Sequence, residues 1–238
     1  MHVSNRLDKE LYLRGFVKSR TVAAELIADG KVNVNGEVCV KASRLVLIDD
    51  VVEVHGEQLR YVSRGGLKLE HALNTFGIDL TGKICLDVGA STGGFTDCML
   101  QHGASLVYAV DVGTNQLDSV LRDDGRVVSM ERCDIRTAEI SEEVEVCAVD
   151  VSFISLKLIL PYIRSEAVVL VKPQFELGKK HKGVITDMKL QNKIVNDVRE
   201  FAESIGFRIK DVIESPILGG SGNREFLMYV NWRDKVEK

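Results

Sequence analysis

Residues 84–95, reading Ile84-Cys85-Leu86-Asp87-Val88-Gly89-Ala90-Ser91-Thr92-Gly93-Gly94-Phe95, constrain this 238-residue chain more than any other stretch. A short apolar run ends at an acid, passes through a loop of small residues and enters a helical pattern. That order is a strand feeding a loop suited to a nucleotide-like ligand. Gly89 permits the tight turn, while Gly93 and Gly94 let backbone approach a ligand and bring the helix close to the sheet. A glycine pattern alone also occurs in strand–turn–helix corners that bind nothing. The spacing that follows adds to it. Leu106 to Val110 is a second apolar run, closed by Asp111, 24 residues after Asp87, where a ribose diol would be hydrogen-bonded. Residues 126–132 make a third strand, with Asp134 just past its end. One acid after each of three strands places three acceptors along a single cleft edge, the mark of a nucleoside site.

From residue 67 onward strand and helix patterns alternate. Leu67 to Phe76 is a leading helix ended by Gly77. Strands are expected at 84–89, 106–112, 126–132, 145–151 and 166–172, with helical stretches between most of them, and a long amphipathic helix at about 187–204. Two last strands, 206–215 and 224–232, are joined by the loop from Pro216 to Asn223, which suits hairpin-like pairing. Alternation predicts an α/β fold with a mostly parallel, Rossmann-like sheet of seven strands and helices on both faces. A closing antiparallel strand makes the arrangement resemble the S-adenosylmethionine-dependent methyltransferases.

The front of the chain reads differently. Arg6 to Arg14 has helical spacing of Leu7, Leu11 and Leu13, and Ser19 can cap a second helix running through Ala28. Lys31 to Val40 alternates about Asn35-Gly36, a hairpin signal, and Val51 to Val54 adds a strand. Residues 57–65 are polar and read as a linker. The expected organisation is a small α/β domain at 1–60, a linker through 61–65, and a larger domain at 66–238.

The formal charge of −4 averages two unlike parts. Residues 1–68 carry +2 and the remainder −6, so a basic front sits on an acidic body, as a module for an anionic partner would. Chance variation in surface charge is the plainer account. Cys39, Cys85, Cys98, Cys133 and Cys147 stand singly, which argues against a zinc site and a disulfide framework, and no metal is expected. The first 30 residues are charged throughout, unlike a secretory signal, and no apolar run approaches the ~20 residues of a membrane helix. A soluble, cytoplasmic protein is expected.

In an open α/β sheet ligands bind at the carboxyl ends of the strands. Asp150 ends the fourth strand and Lys172 the fifth. Glu225 opens the last strand, whose beginning shares that edge if it runs antiparallel, and Lys68 opens the leading helix. Topology therefore brings two lysines and two carboxylates to one cleft. Singly, each has a plainer reading: a snorkelling lysine, a solvated glutamate, an aspartate capping a turn.

Together the four resemble the Lys-Asp-Lys-Glu tetrad of the FtsJ-like ribose methyltransferases. Ser63-Arg64-Gly65-Gly66-Leu67-Lys68-Leu69 looks like the stretch carrying that family's first lysine, and Asp150, Lys172 and Glu225 match the others. Residues 1–60 resemble an S4-type RNA-binding domain through Arg6-Leu7-Asp8, Ser19-Arg20, Gly30-Lys31-Val32 and Val34-Asn35-Gly36. With the loop Gly89 to Asp97, Asp150-Val151-Ser152-Phe153-Ile154-Ser155-Leu156 and Lys172-Pro173-Gln174-Phe175-Glu176, the whole chain resembles the TlyA family, named for haemolysin but similar to rRNA 2′-O-methyltransferases acting on cytidine. Thr92 departs from the wider FtsJ pattern, where proline is common.

The resemblance implies S-adenosylmethionine as cofactor. Asp87 and the loop Gly89, Ala90, Ser91, Thr92, Gly93, Gly94 and Phe95 would hold its methionine end, Asp111 the ribose and Asp134 the adenine. It also implies methyl transfer to a ribose 2′-hydroxyl of rRNA in ribosomal subunits. Such a hydroxyl is a poor nucleophile, so the site must handle its proton and align it with the methyl. A partly buried lysine beside a second cation has a lowered pKa, which suits Lys172 as base or orienter, with Asp150 and Glu225 holding the two ammonium groups. The chain has no Asn/Asp-Pro-Pro-aromatic loop for exocyclic amines and no Pro-Cys pair for attack on a pyrimidine carbon. For RNA, Arg6, Arg14, Lys18, Arg20 and Lys31 could form a basic face, or merely solvated helix surface. Lys179, Lys180 and Lys182 could meet phosphates beside the cleft, or lie in a flexible surface loop. Rival readings are an RNA-binding ribosome-assembly factor with an inactive methyltransferase fold, and a haemolysin. A monomer is expected.

Overall fold

The computed structural model describes residues 4–17, 19–55, 60–178, 183–220 and 222–233. The chain divides into two compact units, Met1–Arg64 and Gly65–Lys238.

The first unit runs β1 (Ser4–Arg6), α1 (Leu7–Leu13), α2 (Arg20–Ala28), β2 (Val32–Val34), β3 (Glu37–Val38), β4 (Leu45–Leu47) and β5 (Val52–Val54). Ser19 caps α2 as its side chain implies, accepting from the Val22 N–H at 3.3 Å. Asn35 and Gly36 both have positive φ, 54° and 81°, the turn that an Asn-Gly hairpin needs between β2 and β3. β5 pairs antiparallel with the other side of β2. The small β1–β4 sheet escapes the sequence pattern, because three-residue strands are too short to show a period. Leu7, Leu11, Val22, Ala23, Leu26, Ile27, Val32 and Val34 supply the core. Tyr61 and Val62 are buried rather than solvated linker residues, and the Val62 carbonyl accepts from Ser19 Oγ at 3.4 Å.

The second unit continues with α3 (Gly65–Phe76), β6 (Ile84–Val88), α4 (Gly94–Gln101), β7 (Leu106–Val110), α5 (Ser119–Arg122), β8 (Val127–Met130), β9 (Val146–Val149), β10 (Glu166–Val171), α6 (Pro173–Glu176), α7 (Met188–Ser204), β11 (Phe207–Glu214) and β12 (Phe226–Trp232). Among the described residues its strands form one sheet in the order β11-β12-β10-β9-β6-β7-β8. β6 to β10 pair in parallel, whereas β12 runs antiparallel to both β10 and β11. The fold is thus the seven-stranded α/β sheet expected, closed by an antiparallel strand. β9 and β10 are apolar at almost every position because helices or loops cover both faces of a parallel sheet. Between β9 and β10 the crossover is made of two short 3₁₀ turns, Leu156–Leu158 and Leu160–Tyr162, where Pro161 removes a helical donor.

β6, β7, β9 and β10 all end at one edge, and their last residues are followed by Gly89, Asp111, Asp150 and Lys172. Reversal of β12 puts its first residue beside the end of β10, in the pair Val171 to Phe226.

Candidate active site

Two lysine–carboxylate pairs stand at this edge. Lys68, on the first turn of α3, meets Glu225 with Nζ 2.5 Å from Oε2, and both are buried. Gly219 leaves the space that the Glu225 carboxylate occupies, since a Cβ there would collide with it. Lys172 follows β10, is buried, and lies 2.5 Å from Asp150 Oδ1. That contact is a charge pairing off hydrogen-bond alignment, and the Lys172 ammonium also donates to Ser152 Oγ at 2.9 Å. Ser152, which sequence reasoning passed over, therefore belongs to the constellation. Its own proton points away from Lys172, because the ammonium already fills one of its acceptor positions.

A cavity of about 580 Å³ lies beside the second pair, lined by Gly89, Ser91, Asp111, Asp134, Asp150 and Ser152 among others, which is the size of a cofactor site. Gly89 has φ +87°, and any Cβ on it would strike the Asp150 carbonyl oxygen. Glycine is required there so that the β6 loop can abut the end of β9. The same packing sets Asp150 next to the cavity. Asp111 organises the wall: its Oδ2 accepts from Ser91 N at 2.8 Å and its Oδ1 from Gly113 N at 2.6 Å.

Several expected cofactor residues stand further back. Asp87 is fully enclosed and does not line the cavity. Thr96 Oγ1 donates to its Oδ2 at 2.7 Å, while Oδ1 has no partner among the described residues. Burial pushes this carboxyl up to about 7, against the Thr96 hydrogen bond that favours the ionised form. Ala90, Thr92, Gly93, Gly94 and Phe95 belong to the same loop and helix start but do not line this cavity. A Cβ on Gly93 would strike Leu117 and Leu121, so that glycine serves packing against α5 and the turn before it. Asp134 does line the cavity, but its carboxylate already accepts from Arg136 Nη2 at 2.6 Å and Nε at 2.9 Å, which hold it down at about 2.

A second cavity, about 780 Å³, shares Phe153 and Ile154 with the first as lining residues. Phe153 is 87% exposed and has φ +65°, a left-handed backbone that a bulky residue rarely adopts. It tilts against Phe175 at a centroid distance of 4.9 Å. Neither ring was anticipated from sequence. Side-chain direction after a strand end depends on a backbone reversal that no periodicity reports.

In the first unit Arg6 and Arg20 converge on Asp8, at 3.0 and 2.8 Å, and both are about half exposed. Lys31 stands 4.0 Å from Asp29. Arg14 does not join this face. It donates to Glu10 and to the carbonyls of Leu47, Ile48 and Asp50, so it ties α1 to the turn after β4. Lys18, Lys179, Lys180 and Lys182 lie outside the described residues. Among the described residues no helix is long and apolar enough to cross a membrane.

Known proteins share both halves of this arrangement. Residues 61–232 match the FtsJ-like methyltransferase profile and residues 5–52 the S4 domain profile. Hemolysin A of Brachyspira hyodysenteriae is 43% identical over 94% of this chain and 98% of its own length. The 16S/23S rRNA (cytidine-2′-O)-methyltransferase TlyA of Mycobacterium tuberculosis is 42% identical over 94% of this chain and 89% of its own. A solved structure of a protein described as a hemolysin from Streptococcus thermophilus is 44% identical, with a TM-score of 0.76, covering 98% of this chain and 90% of that one.

Proposed function

The chain belongs to the FtsJ-like methyltransferase family, with an S4 domain before it, and we propose that it methylates a ribose 2′-hydroxyl of ribosomal RNA, on cytidine. The observation that carries this reading is the pair of buried lysine–carboxylate contacts, Lys68 with Glu225 and Lys172 with Asp150, at the edge of the cofactor-sized cavity.

S-adenosylmethionine fits that cavity: Gly89 allows close backbone approach and Asp111 offers a carboxylate for a ribose diol. When bound, it supplies an electrophilic methyl group on a sulfonium. The protein's own work is to position the acceptor hydroxyl and take its proton. Lys172 enters this step paired in charge with Asp150 and donating to Ser152, so an ammonium there must first lose a proton to solvent before it can accept one. Asp150 fixes its position, and the outward-pointing Ser152 hydroxyl can hold the acceptor ribose. Lys68 and Glu225 supply a second fixed charge pair at the same edge. The aromatic second cavity, which shares Phe153 with the first, gives the acceptor base an apolar place beside the cofactor cavity. Arg6 and Arg20 on the S4 unit would meet RNA phosphates.

The test is comparison, by mass spectrometry, of nucleosides from rRNA of cells with and without this gene, together with transfer of labelled methyl to isolated ribosomal subunits. A 2′-O-methylcytidine that depends on the gene is the expected result. Methylation found only on a base atom would overturn the assignment of the acceptor.

A further inference from the structure

Residues 150–156 after β9 and residues 172–176 after β10 lie against each other and touch at three places. At the near end Lys172 stands 2.5 Å from Asp150 and donates to Ser152 Oγ at 2.9 Å. In the middle the rings of Phe153 and Phe175 tilt together with centroids 4.9 Å apart. At the far end the Glu176 carboxylate accepts twice from the opposite segment, at Oε2 from Ser155 Oγ at 2.5 Å and at Oε1 from the Leu156 N–H at 2.8 Å. Both oxygens are engaged, so the carboxylate has a defined orientation.

The sheet anchors each segment at its first residue. The Asp150 N–H donates to the Val88 carbonyl at 2.9 Å, and Lys172 directly follows β10. Phe153 then takes a left-handed backbone, φ +65°, which in a bulky residue persists only where its surroundings over-determine it. Glu176 supplies a constraint from the other end. Ser155 opens the 3₁₀ turn Leu156–Leu158, its Oγ accepting the Lys157 N–H at 3.2 Å while donating to Glu176. Glu176 itself closes α6, a single turn begun by Pro173, and so stands at a set span from Lys172.

We propose that Glu176 is a positioning residue for methyl transfer, clamping Ser155 and Leu156 to α6 so that Ser152 and Phe153 stay in register with Lys172. This rests on the ribose-methylation reading above. Glu176 does not line the cofactor cavity, so its effect reaches the reaction through Lys172 and Ser152 and leaves cofactor binding alone. Slight misplacement of a proton-handling group costs rate far more than affinity.

The experiment compares the wild type, Glu176→Ala and Glu176→Gln in single-turnover methylation of ribosomal subunits at saturating cofactor. Calorimetry gives the S-adenosylmethionine affinity of each, and thermal unfolding shows that each folds. Glutamine keeps a carbonyl oxygen for the Leu156 N–H and offers an amide N–H to Ser155 Oγ. Glu176→Ala should be slower by about 10- to 10²-fold with cofactor affinity within about twofold of wild type, and Glu176→Gln should recover most of the rate. A wild-type rate in Glu176→Ala overturns the proposal. So does a loss of cofactor affinity that matches the loss of rate, which is what a merely structural role would give. A glutamine variant as slow as the alanine variant overturns it too, because charge and not the clamp would then matter. Should Glu176→Ala show no cooperative unfolding, Ser155→Ala, which removes one of the two contacts, is judged by the same readings of rate and affinity. If the wild type itself places no methyl on a ribose, the proposed function falls and this inference with it. Every other outcome leaves that function standing.

Discussion

Lys68 and Glu225 lie 157 residues apart in the chain and meet at 2.5 Å inside the second unit, with 10% and 3% of their side chains exposed. A buried ion pair is a poor source of stability, because desolvating two charges offsets most of their attraction. Removing one partner is a different matter, since it strands the other charge. Glu225→Met should therefore cost about 3–5 kcal/mol in urea unfolding, whereas Lys68→Met with Glu225→Met should regain most of that loss. Methylation should be lost in both. A double variant no more stable than the single one would show that the pair is structural.

Cofactor affinity should depend on Asp111. Its carboxylate lines the cavity and clasps the N–H groups of Ser91 and Gly113, so alanine removes a ribose partner and loosens the wall together. Asp111→Ala should weaken S-adenosylmethionine binding by about 1–3 kcal/mol. Unchanged affinity in calorimetry would remove Asp111 from the site.

Asp87 makes stability depend on pH. Burial first, and the neighbouring Asp150 and Asp111 charges after it, raise its carboxyl to about 7 in the folded state. Below about pH 4 the group is neutral both folded and unfolded, so burial carries no charge penalty. As pH rises toward 7 the unfolded chain ionises freely and the folded one does not, so stability falls across that window, by on the order of 4 kcal/mol for this group. Asp87→Asn should flatten the fall. The difference between the two proteins' unfolding free energies at pH 4.5 and 8, without cofactor, isolates the effect, and parallel curves would contradict it.

The basic face of the first unit should act through phosphates. Arg6→Ala with Arg20→Ala should weaken rRNA binding most at low salt and reduce the salt slope by about 1–2, since each phosphate left unneutralised keeps its counterion. Arg14→Ala should instead lower the stability of this unit, because its guanidinium serves the Leu47, Ile48 and Asp50 carbonyls. Equal effects on RNA binding from both changes would dissolve the distinction.

How much of this could be read from sequence depended on whether a residue's place follows from the period of its own element. The strand ends at Asp111, Asp150 and Lys172 did, since an apolar run stops where the sheet meets solvent. So did the arrival of Glu225 at the same edge, because one antiparallel strand reverses the direction of the chain. Contacts fixed by partners far along the chain did not. Gly89 is glycine because of the Asp150 carbonyl, Arg14 is withdrawn from the basic face by a turn over 30 residues away, and Phe153 is exposed through a left-handed backbone. Asp87 was marked in sequence by its place near the end of an apolar run, but its full burial behind the cavity wall could not be read there. Ser152 stood in a stretch that carried the family resemblance, but its contact with Lys172 had no signal of its own, since a single polar residue after a strand is common.

Lys172 should be needed for transfer and little needed for binding. It is buried at the end of β10, held at 2.5 Å from Asp150 and donating to Ser152, beside the cavity where cofactor and acceptor would meet. Its contribution is realised mainly in the transition state, so Lys172→Ala should bind S-adenosylmethionine and rRNA nearly as the wild type does, while single-turnover methylation falls by about 10²-fold or more. Lys172→Arg separates two roles. Arginine keeps the positive charge and can still pair with Asp150, but it stays protonated and cannot take the hydroxyl proton. A base role therefore predicts an Arg variant as slow as the Ala variant. An active Arg variant would show that Lys172 acts by charge and orientation, with the acceptor proton passing to solvent through the outward-facing hydroxyl of Ser152.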